Sequence, residues 1–267
     1  MVSILIQMEY NIHKYNLFIV KKSKMKKNVV SITDLLCSSC QARFRGICSC
    51  LSNEQLNEIS QSVKHAHYPK GKEVINFNED ANKIYNIVNG SIRQYKILPD
   101  GRRQIVGFLF SGDFLGIPYE EKFSYYANTI EDTCLCVFSR QNFESYLVKF
   151  PAFEKEVLKK ISLKLSDSFD QNMLLGKKQA REKLATFLIL ILKVQKNSQN
   201  QTNLFKIPMT REDIADYLGL RTETTCRMFT EFCMKDLIKF TDKNKNYFQV
   251  RNLTQLKKLG KVKIETV

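Results

Sequence analysis

The spacing of apolar residues changes period along the chain, and each change predicts a different kind of element. Leu51, Leu56, Ile59 and Val63 recur at mostly helical spacing behind Ser52, a favoured N-cap type, and predict a short helix. Turn signals then fall at Pro69-Lys70-Gly71, Glu79-Asp80, Asn89-Gly90, Pro99-Asp100-Gly101 and Ser111-Gly112-Asp113. They are separated by roughly ten residues, and the stretches between them are short and rich in Ile, Val, Phe and Tyr, which predicts a sandwich or barrel. Thr133-Cys134-Leu135-Cys136-Val137-Phe138 reads as a further strand, with Cys134 and Cys136 on one face because strand side chains alternate.

After Phe150-Pro151 the period becomes helical. Leu158, Ile161, Leu165, Ser168 and Asn172 lie three and four apart, with Lys and Glu on the other faces. This heptad-like seam predicts a helix that packs against its own copy. An ordinary amphipathic helix packed on its own domain is the alternative. Ser168 and Asn172 interrupt the apolar seam, so the expected dimer contact is marginal. Residues 180 to 194 predict a strongly apolar helix, and the polar run from Asn197 to Asn203 predicts a loop.

The next segment, Met209 to Phe229, carries two helix signals around one glycine. Thr210 is an N-cap candidate, and Glu212 and Asp213 suit the first turn of a helix. Ile214, Ala215 and Leu218 give that helix a short apolar face, Gly219 supplies a tight turn, and a second helix starts near Thr222 with Met228, Phe229 and Phe232 facing inward. This is the helix-turn-helix layout. Its second helix would present Glu223, Cys226 and Arg227 to base edges, where Arg suits the O6 and N7 of guanine and Glu a cytosine amino group. Leu237 to Val250 reads as a hairpin around Asp242-Lys243-Asn244-Lys245-Asn246, a basic wing suited to phosphates.

Charge supports that reading. The 267 residues carry a formal charge of +15, and residues 177–267 alone hold 19 Lys and Arg against 9 Asp and Glu, a net of +10. One third of the chain thus carries two thirds of the excess, as expected of a basic C-terminal domain with a polyanionic partner. No apolar run is long enough to cross a membrane, and no short apolar stretch leads to a signal-type cleavage site, so a cytoplasmic protein is expected. Residues 1–36 read as a flexible basic tail, within which Met25 is an alternative start to Met1.

Cys37, Cys40, Cys48 and Cys50 sit within a short stretch of a chain with no secretory features. In a reducing compartment, clustered thiols point to metal binding or redox chemistry rather than to disulfide staples. Four thiolates suit an iron–sulfur cluster or tetrahedral zinc. A thiol–disulfide oxidoreductase using Cys37-Ser38-Ser39-Cys40 would need a βαβ context that the pattern does not offer, and His13, His65 and His67 sit in no recognisable triad, so no enzyme is expected.

Asp100-Gly101-Arg102-Arg103-Gln104-Ile105-Val106-Gly107-Phe108, Ser111-Gly112-Asp113-Phe114-Leu115-Gly116 and Asp213-Ile214-Ala215-Asp216-Tyr217-Leu218-Gly219-Leu220 resemble the CRP/FNR family of bacterial transcription regulators in detail. The resemblance runs from about Cys37 to Leu256 and implies an α+β fold. Residues 37–150 would form the cysteine segment and a jelly-roll sensor domain (a double-stranded β-helix), 151–176 a dimerisation helix, and 177–267 a winged helix-turn-helix. The Cys-x2-Cys-x7-Cys spacing is similar to the FnrN/FnrL subgroup of the oxygen-sensing FNR branch. That implies a 4Fe-4S cluster on Cys37, Cys40, Cys48 and Cys136, with Cys50 in place of Cys48 and Cys134 in place of Cys136 as the open alternatives. It further implies a homodimer that binds palindromic DNA while the cluster is intact, contacts RNA polymerase, and falls apart when oxygen degrades the cluster. Glu223 and Arg227 imply a half-site like the family's TTGAT, whereas Cys226 stands where the branch has serine and is a weaker hydrogen-bonding group. An exposed thiol there could also serve as a second redox switch. Cyclic-nucleotide binding is not expected, because residues 114–127 offer no arginine to a phosphate.

Overall fold

The turn-punctuated stretch forms eight strands: β1 (Lys64–Tyr68), β2 (Glu73–Ile75), β3 (Lys83–Asn89), β4 (Ser91–Ile97), β5 (Arg103–Phe110), β6 (Phe114–Leu115), β7 (Tyr126–Thr129) and β8 (Thr133–Ser139). The computed structural model describes residues 37, 40–116, 121–196 and 203–262. The expected basic tail and most of the expected 197–203 loop lie outside the described residues. All strand pairs are antiparallel, in two four-stranded sheets of order β1-β8-β3-β6 and β2-β7-β4-β5. Ile75, Ile87, Ile92, Leu109, Phe123 and Leu135 are buried together in the interior of this roll, as alternating strands on two facing sheets require.

Local signals fix the helix ends. Ser52 caps α1 (Asn53–Ser60) with a full capping box, its side chain accepting from the Gln55 amide while the Gln55 side chain accepts from the Ser52 amide. Ser139 caps α2 (Arg140–Lys149), a helix the hydrophobic pattern did not announce. Pro151 then opens α3 (Pro151–Lys177), where its missing amide costs nothing. At 27 residues α3 is about 40 Å long. Phe153 and Val157 anchor its first turns to the roll, together with Phe138, Phe143 and half-buried Ile161. Ile161 therefore faces its own domain rather than the outer seam. The outer face carries Leu158, Leu165, Phe169 and Met173, each more than half exposed, with Ser168 and Asn172 exposed alongside. The stripe is more continuous than the sequence reading of Ser168 and Asn172 implied.

α4 (Ala180–Lys196) is the core of the C-terminal part, with Leu184, Phe187, Leu188, Ile191 and Leu192 buried. Around it stand α5 (Arg211–Leu218), α6 (Thr222–Met234) and α7 (Leu253–Gly260). A three-stranded sheet of order β10-β11-β9 completes the unit, from β9 (Leu204–Lys206), β10 (Ile238–Phe240) and β11 (Tyr247–Val250). Thr210 caps α5 through the Asp213 amide. Gly219 ends that helix at φ 60°, the left-handed conformation that glycine adopts without penalty, and so sets the turn into α6.

Candidate thiol centre and nucleic-acid interface

Residues 41–50 form two short 3-10 turns, Gln41–Phe44 and Ile47–Cys50, which wedge between the roll and α3. Gly46 sits so close to the roll that an added Cβ would meet the Asn86 side chain and the Gly112 carbonyl at 3.2 Å. Gly112 in turn has φ +92°, and a Cβ there would stand 2.8 Å from the Arg45 Cβ. The Ser111-Gly112-Asp113 turn thus gives the cysteine loop its seat. From the other side, Lys160 of α3 donates to the Arg45 carbonyl, and Ile47 is fully buried with Val157, Phe143 and Cys136. The segment is therefore held by both the sheet and the long helix.

This seat brings the N-terminal thiols to β8. Burial raises the Cys136 thiol far above its usual range, and Cys48, Cys37, Cys40 and Cys134 add repulsion in that order. Burial likewise pushes Cys48 up to about 12, reinforced by Cys37, Cys40 and Cys50 and opposed by Arg43. Cys136 thus feels all three of Cys37, Cys40 and Cys48. Cys134 is raised by burial and then by Cys40 alone, and Cys50 donates to the Ile47 carbonyl at 3.6 Å. None of the eight cysteines forms a disulfide, and among the described residues no three His, Cys, Asp or Glu side chains are arranged to hold a metal ion directly.

Two histidines belong to this centre, and sequence reasoning missed their place in it. The β1–β8 register sets His65 opposite Cys136 and His67 opposite Cys134. His65 Nε2 lies 3.1 Å from the Cys136 sulfur and His67 Nε2 lies 3.9 Å from that of Cys134. Burial, then His67, lowers the His65 pKa and favours neutral imidazole. The only signal in the sequence was the matched i, i+2 spacing of 65/67 and 134/136. As for thiol–disulfide exchange, among the described residues no parallel strand pair, and hence no βαβ unit, supports Cys37 and Cys40.

The raised thiols predict a pH dependence of the metal-free protein. A thiol that stays neutral in the fold favours folding fully below the unfolded value of about 8.5. The advantage is lost as pH rises towards the folded value, about 12 for Cys48. The melting temperature of metal-free protein should therefore fall progressively above about pH 8.5, and Cys48→Ala should flatten that fall. Equal slopes for the two proteins in pH-resolved thermal melts would contradict the assignment. Loading a metal must also displace the thiol protons.

At the other end of the chain, Glu223, Cys226 and Arg227 are exposed on the first turns of α6, while Thr225, Phe229 and Phe232 are buried behind them. Exposed Arg221 precedes the helix, and exposed Lys243 and Lys245 crown the β10–β11 wing. The Arg211 guanidinium stacks 3.9 Å from the Phe229 ring centroid and 5.2 Å from that of Phe240, tying α5, α6 and the wing into one body. Bases and phosphates would thus meet a preformed cationic surface.

A jelly roll joined through a long helix to a winged helix-turn-helix with its reading face open defines a DNA-binding transcription regulator. Residues 65–150 match the cyclic nucleotide-binding domain family and residues 182–259 the Crp-like helix-turn-helix domain family. The chain is similar to the nitrogen fixation regulation protein FixK of Bradyrhizobium diazoefficiens, with 35% identity over 78% of this chain and 88% of the relative. It is also 32% identical to the transcriptional activator protein FnrL of Cereibacter sphaeroides, over 72% of this chain and 79% of that one. The solved structure of FixK2 from Bradyrhizobium japonicum superposes with a TM-score of 0.68 at 29% identity, covering 74% of this chain and 96% of that one. The chain belongs to the CRP/FNR family, in its FNR branch. This family of transcription regulators acts as dimers. Among the described residues no helix is long and apolar enough to cross a membrane.

Proposed function

We propose that this regulator responds to oxygen through a 4Fe-4S cluster held by Cys37, Cys40, Cys48 and Cys136, and that it binds palindromic sites with TTGAT-like halves as a homodimer. The observation that carries this reading is the packing of Cys48, from the N-terminal segment, against the cluster that holds Cys136 of the roll, with Cys37 and Cys40 adding repulsion to a Cys136 thiolate. Thiolate donors fit such a group, which when bound supplies an oxygen-labile link between the two parts of the chain. The residues themselves supply the coupling. Lys160, Val157 and Ile161 tie the cysteine segment to α3, so a change in its packing reaches the helix whose outer stripe of Leu158, Leu165, Phe169 and Met173 suits a second copy. Contact with RNA polymerase follows from the family and from an activator role. The roll acts here as a scaffold rather than a cyclic-nucleotide pocket, in keeping with an interior filled by Ile87, Leu109, Phe123 and Leu135.

Protein purified without oxygen should contain iron and acid-labile sulfide and should lose both, together with dimer and DNA affinity, on exposure to air. Anaerobic protein lacking both elements would refute the cluster. The two His–Cys pairs favour a second reading, a structural zinc site or a metal-free thiol switch, because imidazole and thiolate are zinc donors. Zinc as the sole metal in the same preparation would select it.

A further inference from the structure

The two motifs that carry much of the family likeness, residues 100–108 and 213–220, meet in the folded chain. Arg93 of β4 directs Nη1 to both carboxylate oxygens of Asp213, at 2.9 Å each. Arg103 of β5 places Nη2 2.9 Å from Oδ1 of that carboxylate and Nε 2.7 Å from Oδ2 of Asp216. Gln104 donates from Nε2 to the Asp216 carbonyl at 2.6 Å. Beneath these bonds Phe108 packs on Tyr217 and Phe187, with ring centroids 5.1 Å and 6.1 Å away. Tyr95, Ile105 and Ile130 of the roll share one apolar cluster with the core of the DNA-binding part. At the margin, Lys206 of β9 pairs with Glu131, which also accepts from the Ser91 hydroxyl.

The make-up of this contact indicates its role. The Asp213 side chain is 1% exposed, and a carboxylate so buried persists only when its charge is matched. Apolar packing is non-directional and would let α5 slide over the sheet. Guanidinium forks on carboxylates fix direction and register as well. The grip falls on α5, the helix that does not read bases, and leaves Glu223, Cys226 and Arg227 of α6 open. Because α5 and α6 share the Gly219 turn and one core, the angle at which the roll holds α5 sets the angle at which α6 meets DNA.

We propose that Arg93, Arg103 and Gln104 of the β4–β5 hairpin are positioning residues for DNA reading, clamping Asp213 and Asp216 so that the recognition helix keeps a fixed orientation relative to the long helix and the roll.

The test uses the less buried pair, Arg103 and Asp216, 22% and 24% exposed, where a reversed bridge can still form. Arg103→Glu, Asp216→Arg and the double variant are made in the full chain and purified without oxygen. Hydrogen exchange is followed in all of them, along with affinity for a duplex bearing two inverted TTGAT half-sites. Each single variant should speed exchange in residues 91–110 and 211–218 while leaving 222–250 protected, and should weaken binding at least about tenfold. The double variant should recover part of the protection and of the affinity, since the reversed pair rebuilds the bridge between positions 103 and 216 but loses the bond that Arg103 makes to Asp213. Three results would overturn the clamp: unchanged exchange at the hairpin and α5, exchange that rises equally throughout 222–250, or a double variant no better than the singles. A further one is loosened exchange with affinity unaltered, which would leave the contact structural only. Should the wild-type chain fail to bind that duplex, the half-site reading fails; affinity for a nonspecific duplex of equal length then replaces it and decides the clamp by the same comparison of singles and double.

Discussion

Cys136→Ala is expected to abolish cluster assembly and, with it, DNA binding by protein prepared without oxygen. The sulfur is buried against Phe138, Phe143 and Ile47, so its removal leaves a void of about one heavy atom. Such a change costs on the order of 1 kcal/mol, too little to unfold a domain of this size. Loss of a ligand is far more severe than the roughly 10–100-fold penalties that follow when only the partners of ligands are changed. A folded protein without visible absorbance, iron or sulfide is therefore the expected product. Cys134→Ala is the matched control on the same face of β8, and it should retain the cluster, because Cys134 senses Cys40 alone among the N-terminal thiols. Unchanged absorbance in Cys136→Ala would transfer the role to Cys134. An intact fold can be checked independently by circular dichroism in the absence of metal.

Arg227→Ala should weaken operator binding by about 1–3 kcal/mol, or roughly 5- to 150-fold, and should relax preference at one guanine. The guanidinium is exposed, so the loss falls on recognition and not on folding. Affinities for a set of duplexes substituted at each half-site position separate the two modes of contact. A penalty confined to one position marks base reading, and an equal penalty on every duplex would reduce Arg227 to a phosphate contact. Salt dependence offers a cross-check, since a phosphate contact contributes to the salt slope through counterion release.

Much of this architecture is written in local chemistry. The capping box of Ser52 and Gln55, the Thr210 cap, the left-handed Gly219 and the Asn89-Gly90 turn between β3 and β4 each depend on neighbours in sequence. The exposed face of α6 follows from the burial of Phe229 and Phe232, which helical periodicity already announces. Features that depend on remote pairing were not legible. Nothing in residues 64–68 says that β1 will lie beside β8, so the matched spacing of the histidines at 65 and 67 and the cysteines at 134 and 136 does not by itself reveal that they face each other. β9, a three-residue strand, is too short for a periodic signal and is defined by its pairing with β11. Asp213 shows both sides. Its place in the first turn of α5 was read correctly from helix-dipole chemistry, but its buried partners come from Arg93 and Arg103, more than a hundred residues earlier. On α3, Phe169 and Met173 are exposed beside Leu158 and Leu165 at positions the heptad pattern did not include, and Ile161 packs in part on the roll.

The thiols and the arginines sit on different sheets of the roll. Cys134 and Cys136 belong to β1-β8-β3-β6, while Arg93 and Arg103 belong to β2-β7-β4-β5. On the proposed roles, input and output are wired to separate walls of one chamber. Descendants of such a chain could exchange one stimulus for another by rewriting a single wall, keeping the grip on the operator-reading head intact.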